Sequence, residues 1–486
     1  MNYQLEGHPH RHAVEEMLLH LLPDRTVSEG VDDGGDFCQS ILFEEQSGVL
    51  SAAARVRLDG VQREGERKGS LTPGQDSLAR KRLENELLKL AIYDAVAPAL
   101  AEPPVWGALT GVRPAKLARG LMERGASPQE TEEHLCTRFQ VSPERAALTM
   151  AAAAYAQETD RKIVQNSISV YVSIPFCPTR CAYCSFISAA VEQNAQFVAP
   201  YLEALCKEAE ETGRLVRQNK CTVDSLYIGG GTPTTLSSEQ LDKLLSVLER
   251  SFDLSNLFDY TVEAGRPDTI TAEKLAVLRA HGVTRVSVNP QSMNDEVLRL
   301  AGRPHTARDV LESFEMARKA GFPVINMDVI AGLEGDTPAR FAETINTLLG
   351  LGPENITVHT LAVKRGAAIR DIHANLARRC AVGHMLLYTQ RALLRQDYHA
   401  YYLYRQKFSA GGYENTGWCK PGTESFYNIS MMEELQTIIS LGAGGVSKRV
   451  NRATGKIERY TNPKYPAEYL QAQERILRGR QRLLQE

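Results

Sequence analysis

Between about residue 167 and residue 362, short β-branched or aromatic runs alternate six times with amphipathic helical segments. The runs are SVYVSIP (169–175), VDSLYIGG (223–230), FDYTVEAG (258–265), VTRVSVNP (283–290), PVINMDVIAG (323–332) and NITVHTLA (355–362). Between and after them lie YLEALCKEAEETGRLV, EQLDKLLSVLERSF, AEKLAVLRAHG, DEVLRLAG, ARDVLESFEMARKAG and ARFAETINTLLGLG. Strands separated by helices pair in parallel through right-handed crossovers, so the helices lie outside and the strands are buried. Ser237 with Gln240 three residues on predicts a capping box, and Thr337-Pro338 suits an N-cap and first helical position. Six β/α units make either an open doubly wound sheet or a partial barrel. In both, ligands bind beyond the carboxyl ends of the strands.

The unusual residues fall at those ends. Residues 171–186 read YVSIPFCPTRCAYCSF, placing Cys177, Cys181 and Cys184 as C-x3-C-x2-C directly after the first strand. A zinc site asks for four ligands, commonly in two separated pairs, and no C-x2-C or H-x3-H pair follows downstream. Three thiolates on one loop can instead hold three irons of a 4Fe-4S cubane, leaving the fourth iron open to a non-protein ligand. The second strand ends in GGGTP, where Gly230, Gly231 and Thr232 either form a tight turn or let the backbone approach a ligand closely. Glu263 ends the third strand. A carboxylate there is costly unless it accepts hydrogen bonds, from a ribose hydroxyl or as a helix cap. The fourth and fifth strands bring Gln291, then Arg303, then Asp328, which lies inside an apolar strand where an unpaired carboxylate destabilises. The sixth ends at Ala362.

The cysteine motif after a first strand resembles the radical S-adenosylmethionine (SAM) superfamily, whose core is a partial (β/α)6 barrel. The blocks YVSIPFC, GGGTPT, TVEAG, the Gln291–Arg303 pair and Asp328 are similar to its oxygen-independent coproporphyrinogen III oxidase group. TGVRPAK (110–116), YYLYRQK (401–407) and GAGGVSK (442–448) resemble the long variant of that group, a coproporphyrinogen dehydrogenase. The resemblance implies that Cys177, Cys181 and Cys184 ligate a 4Fe-4S cluster whose open iron chelates SAM. Tyr171, Gly230 and Glu263 would contact that SAM, with Gly231 and Thr232 in the motif that grips its amino group. Tyr183 would meet the adenine or shield the cluster. Gln291, Arg303, Asp328 and Ala362 would border a second SAM. The implied reaction turns two propionates of coproporphyrinogen III into vinyls, giving protoporphyrinogen IX, with an electron donor such as flavodoxin or ferredoxin. Arg405, Lys407 and Lys420 are candidates to meet the substrate carboxylates, although solvated surface cations are the plainer reading. Known oxidases of the group carry a further cysteine where this chain has Phe186 and a histidine where it has Ser173. Both departures bear on the final oxidation or on proton handling. A haem-binding chaperone and a radical SAM methyltransferase acting on a tetrapyrrole therefore stand as alternatives.

The expected fold is α/β: a radical SAM partial (β/α)6 barrel at 166–365, an N-terminal α+β extension at 1–165, and a C-terminal α+β region at 366–486 covering the substrate. In the extension, DFCQSILFEE and SAAARVRLDG read as a strand pair, REGERKGSLTPGQDS as a polar Gly-rich loop, and His8, His10 and His12 as a solvated, frayed terminus rather than a metal site. Nine cysteines, the six outside the cluster scattered without framework spacing, argue for reduced thiols and against disulfides. Cys206, on an apolar helical face, reads as core. A net charge of −3 gives no global case for nucleic acid. No apolar run reaches the roughly 18 residues of a membrane helix, and the N-terminus shows no signal pattern, so cytoplasmic residence is expected.

Overall fold

The computed structural model describes residues 1–45, 48–71, 76–184, 189–362, 376–406 and 410–485, and it divides into two compact units. The first is built chiefly on Met1–Met150. Its five-stranded sheet comprises β1 (Asn2–Glu6), β2 (Ser28–Glu29), β3 (Phe37–Glu44), β4 (Val49–Leu58) and β5 (Val61–Ser70), in the order β2-β1-β3-β4-β5. The strand pair read from the sequence is β3 and β4, which are antiparallel.

Two expectations for this unit are corrected. The N-terminus does not fray: β1 runs parallel to both β2 and β3, with Tyr3 fully buried. His8 Nε2 lies 3.1 Å from the Ser40 carbonyl, and His10 pairs with Glu84 at 2.7 Å, so both are structural. The polar Gly-rich stretch at 63–77, of which residues 72–75 lie outside the described residues, begins within the strand β5. Its charged residues face water, and its glycines leave room for the helix Ser77–Val96. A Cβ at Gly65 would stand 2.1 Å from the Ala91 carbonyl oxygen. Glycine thus signals close packing of a helix here, not a turn.

The second unit holds an eleven-stranded sheet. Its heart is six parallel strands that match the six sequence runs: β6 (Ser167–Ile174), β9 (Thr222–Gly230), β10 (Asp259–Gly265), β11 (Arg285–Val288), β12 (Val324–Ala331) and β13 (Asn355–Thr360). A two-residue pair, β7 (Phe176–Cys177) with β8 (Ala189–Ala190), brackets the cysteine loop. Near-continuous burial along these strands is what helices on the outer face require. The caps read from the sequence are present: Ser237 and Gln240 form the reciprocal box, and Thr337 caps a helix with Pro338 at its start. Cys206 is buried, as expected.

The C-terminal residues enlarge the same sheet at both edges. β14 (His399–Arg405) and β15 (Glu414–Cys419) extend it beyond β13. β16 (Thr437–Leu441) pairs in parallel with β6, followed by the antiparallel β17 (Val446–Val450) and β18 (Ile457–Thr461). Behind β16, Glu208 and Arg480 form a fully buried ion pair at 2.8 Å. Glu208 also accepts from Tyr469 at 2.5 Å and from the Gly442 amide at 2.9 Å. Among the described residues, no helix is long and apolar enough to cross a membrane.

Candidate functional site

The cysteine loop leaves the barrel at Ile174 and is fastened from three directions. The GGGTP segment carries on the ladder past the strand end: the Gly231 amide donates to the Ile174 carbonyl at 2.8 Å, and the Thr232 amide to the Phe176 carbonyl at 2.7 Å. Gly231 must lack a side chain, because its Cβ would fall 2.5 Å from the Phe176 oxygen and 2.9 Å from Cys177 Sγ. Thr232 Oγ1 stands 3.5 Å from the same sulfur. Gly230, with φ of +115°, makes the turn that only glycine takes without strain. Beyond β10, Arg266 forks onto Asp268 at 2.9 and 2.7 Å and donates to Thr179, between the first two cysteines, at 2.8 and 3.1 Å. After β11, Ala301 accepts from the Ala182 amide at 3.1 Å. Arg303 donates to the Tyr183 hydroxyl at 3.1 Å and to the Asn289 carbonyl at 2.9 Å, and lies against Cys181. Burial opposes the Arg303 charge, but Tyr183 and Cys181 more than restore it. The Arg266 clamp was not read from the sequence, where an arginine near an aspartate looks like an ordinary surface pair.

Inside the barrel, ionisable and aromatic side chains from several strands converge. Tyr171 on β6, Tyr227 on β9 and Tyr427 on the helix Phe426–Glu433 set near-parallel rings with centroids 4.5–6.1 Å apart. Glu263 accepts the Tyr227 hydroxyl at 2.6 Å, its carboxylate lying over Gly229. Burial pushes Glu263 up to about 7; Tyr227 draws it down and the charge of Asp328 raises it again. Asp328 behaves oppositely. Burial pushes it upward, but His359 at 3.7 Å, Asn326 at 2.7 Å and Thr357 together hold it below the usual carboxylate range. On β14, Tyr402 and Tyr404 stack at 6.5 Å, and both feel the Asp328 charge. Gly417 on β15 makes that possible, since its Cβ would sit 2.0 Å from the Tyr402 ring.

Gln291 occupies the left-handed region, with φ of +67°. Its amide donates to Asp328 O at 2.9 Å, and its carbonyl accepts from Ile330 at 3.0 Å, so β12 holds the strained residue in place. Its side-chain oxygen is buried without a hydrogen-bond partner among the described residues. Ala362 lies two residues beyond the end of β13 and is half-buried. The structure thus brings Tyr171, Gly230, Glu263, Gln291, Arg303 and Asp328 to one end of the sheet, with the cysteine loop. Of the candidate cations, Arg405 is buried at that end on β14. Lys420 lies at the opposite end, bonded to the Gly352 carbonyl at 2.9 Å. Lys407 and Phe186 fall outside the described residues.

These residues fit an iron–sulfur cluster and its ligand. No three histidine, cysteine or carboxylate side chains among the described residues close on a single point. A cubane does not ask this, because each thiolate takes its own iron. The glycine-lined cradle leaves room beside the Cys177 thiol, and at the same end of the sheet the Gln291 oxygen has no hydrogen-bond partner among the described residues.

A thiol loop of this kind at the strand ends of six parallel β/α units defines a radical SAM protein, and the Radical SAM superfamily model matches residues 171–348. Over 369 residues, 75% of this chain and 74% of the relative, the chain is 41% identical to the oxygen-independent coproporphyrinogen-III oxidase-like protein HemZ of Bacillus subtilis. The heme chaperone HemW of the same organism is 35% identical over 60% of this chain and 74% of its own length. The solved structure of coproporphyrinogen III oxidase (HemN) from Escherichia coli superposes with a TM-score of 0.51 at 23% identity, covering 66% of this chain and 72% of that one. The chain belongs to the radical SAM family that contains these haem-related proteins. A 4Fe-4S cluster and SAM are the cofactors that membership implies.

Proposed function

We propose that this protein is a radical SAM oxidoreductase that decarboxylates two propionates of coproporphyrinogen III to vinyls, yielding protoporphyrinogen IX in haem synthesis in the cytoplasm. One observation carries the reading: the identity to the HemZ relative extends well beyond the superfamily core at 171–348. Bound cluster and SAM supply one-electron reduction and hydrogen-atom abstraction. Each propionate then loses a β-hydrogen atom, CO2 and one electron, which passes to an external acceptor.

The chain's residues bind and orient. Cys177, Cys181 and Cys184 hold the cluster, and Thr232 and Gly231 shape the space beside the first sulfur. Tyr171, Gly230 and Glu263 meet the SAM on the cluster, with Tyr183 against its adenine or shielding the cluster. Gln291, Arg303, Asp328 and Ala362 border a second SAM. The tyrosines of the interior offer flat apolar faces with hydroxyl tips, a lining suited to a planar ring with carboxylate arms. Region 366–486 covers the substrate, and a flavodoxin or ferredoxin delivers electrons. A second reading, haem chaperone, is favoured by the identity to HemW.

The test is anaerobic reconstitution with iron, sulfide, SAM, reductant and coproporphyrinogen III. Protoporphyrinogen formed with stoichiometric 5′-deoxyadenosine is expected. Tight haem binding without SAM cleavage would establish the chaperone instead, and S-adenosylhomocysteine a methyltransferase. Cys181→Ala should abolish cluster absorbance and SAM cleavage together; retained cleavage refutes the cluster assignment.

A further inference from the structure

We propose that His359 is a positioning residue of this site, its imidazole orienting and charge-balancing the Asp328 carboxylate toward a cationic ligand group. This rests on the placement of SAM beside Asp328 given above. The geometry comes from adjacent parallel strands. Asp328 registers with Thr357 and Ile330 with His359, so His359 stands one step nearer the strand ends on the inner face. Asn326 Nδ2 donates to Asp328 Oδ1 at 2.7 Å, while His359 Nε2 faces the other oxygen at 3.7 Å. That second distance lies beyond a hydrogen bond. The imidazole therefore stands beside Asp328 Oδ2 without a close hydrogen bond, and it favours the ionised carboxylate. The two side chains are 30% and 20% exposed, so they open toward the interior.

Other groups face the same pair. Glu263 on β10 feels both His359 and Asp328, and Tyr227 on β9 bonds Glu263. Tyr402 and Tyr404 on β14 feel Asp328. Phenols are neutral near neutrality and burial keeps these more so, whereas His359 draws both carboxyls down. Its removal lets Asp328 and Glu263 both titrate higher, since His359 draws each of them down. A sulfonium or ammonium ligand binds best to ionised carboxylates. Loss of His359 therefore moves the acid limit of binding to higher pH.

Equilibrium dialysis of SAM against cluster-loaded protein between about pH 5.5 and 8.5 tests this. His359→Phe should lose about tenfold in affinity at the acid end, the cost of roughly one pKa unit, and approach the unsubstituted protein at the alkaline end. His359→Gln, which keeps a polar group without charge, should show the same displacement. Equal weakening at every pH, or none, overturns the proposal. A second readout needs neither cluster nor SAM: the infrared titration of the Asp328 carboxylate, assigned by subtracting the Asp328→Asn spectrum. Its midpoint should rise in His359→Phe, and an unmoved midpoint overturns the proposal as well. Neither assay contains a tetrapyrrole, so failure to form protoporphyrinogen would sink the oxidase reading alone.

Discussion

Glu263 carries a half-buried carboxyl group between Gly229 and Tyr227, and its proton is held to about pH 7. An acid whose folded pKa is raised from 4.5 to about 7 stabilises the fold fully below 4.5 and loses that contribution as pH climbs through 7. The span is worth about 3 kcal/mol. Denaturant midpoints at pH 5 and pH 8 should therefore fall apart in the native protein and draw together in Glu263→Gln. Tyr227→Phe removes the hydroxyl that draws Glu263 down, so the fall in stability should move to higher pH. At pH 8, where the carboxylate loses its donor, the substitution should cost about 1.5–3 kcal/mol. Glu263 and Asp328 were legible in the sequence because a carboxylate in an apolar strand is costly unless it is paired or accepts hydrogen bonds. Tyr227, Tyr427 and His359 were not. Aromatic residues suit any strand or core helix, and only the observed inward orientation separates a site residue from a packing one.

At the scale of elements, the six strands of the barrel could be read because each is a β-branched or aromatic run, and four of them lead into helices capped by Ser237, Thr271, Asn294 and Thr337. The strand β5 could not. Its charges alternate on a solvated face, and its glycines answer to the Ser77–Val96 helix, a contact with no local signature. The same holds for the join between the helices Val191–Gln218 and Gln473–Gln485, made through Glu208 and Arg480. Breaking a buried ion pair leaves an uncompensated charge and costs about 3–5 kcal/mol. Arg480→Met should lower stability by that amount in urea titrations, and the double variant Glu208→Gln/Arg480→Met should recover most of it. Equal losses in both would mean that the packing of the arginine stem, not its charge, holds the helices together.

For the whole molecule, local pattern foresaw the parallel core but not the order of the finished sheet. Nothing in TIISL distinguishes a strand that joins β6 from one that forms a hairpin elsewhere; the pairing is set by Gln436, which bonds Ser167, Ser169 and Asp224 at 2.6–2.7 Å. A chain ended after Glu433 would leave β6 with a bare edge and Glu208 without its arginine. Such a truncation should partition to the insoluble fraction on expression, measured by sedimentation against the full chain. Soluble accumulation at the full-length level would show that β16 is dispensable.

Ser167 and Gln436 lie 269 residues apart. A ribosome adding about 5–20 residues per second needs roughly 13–54 s to travel that distance. For most of that interval Cys177, Cys181 and Cys184 are already synthesised, on a loop whose supporting strand has at most one of its two neighbours. Of the three strands β6, β9 and β16, the one that completes their foundation is made last. Completion of the cysteine loop's support therefore waits on β16, and the order of assembly is written into the order of the strands.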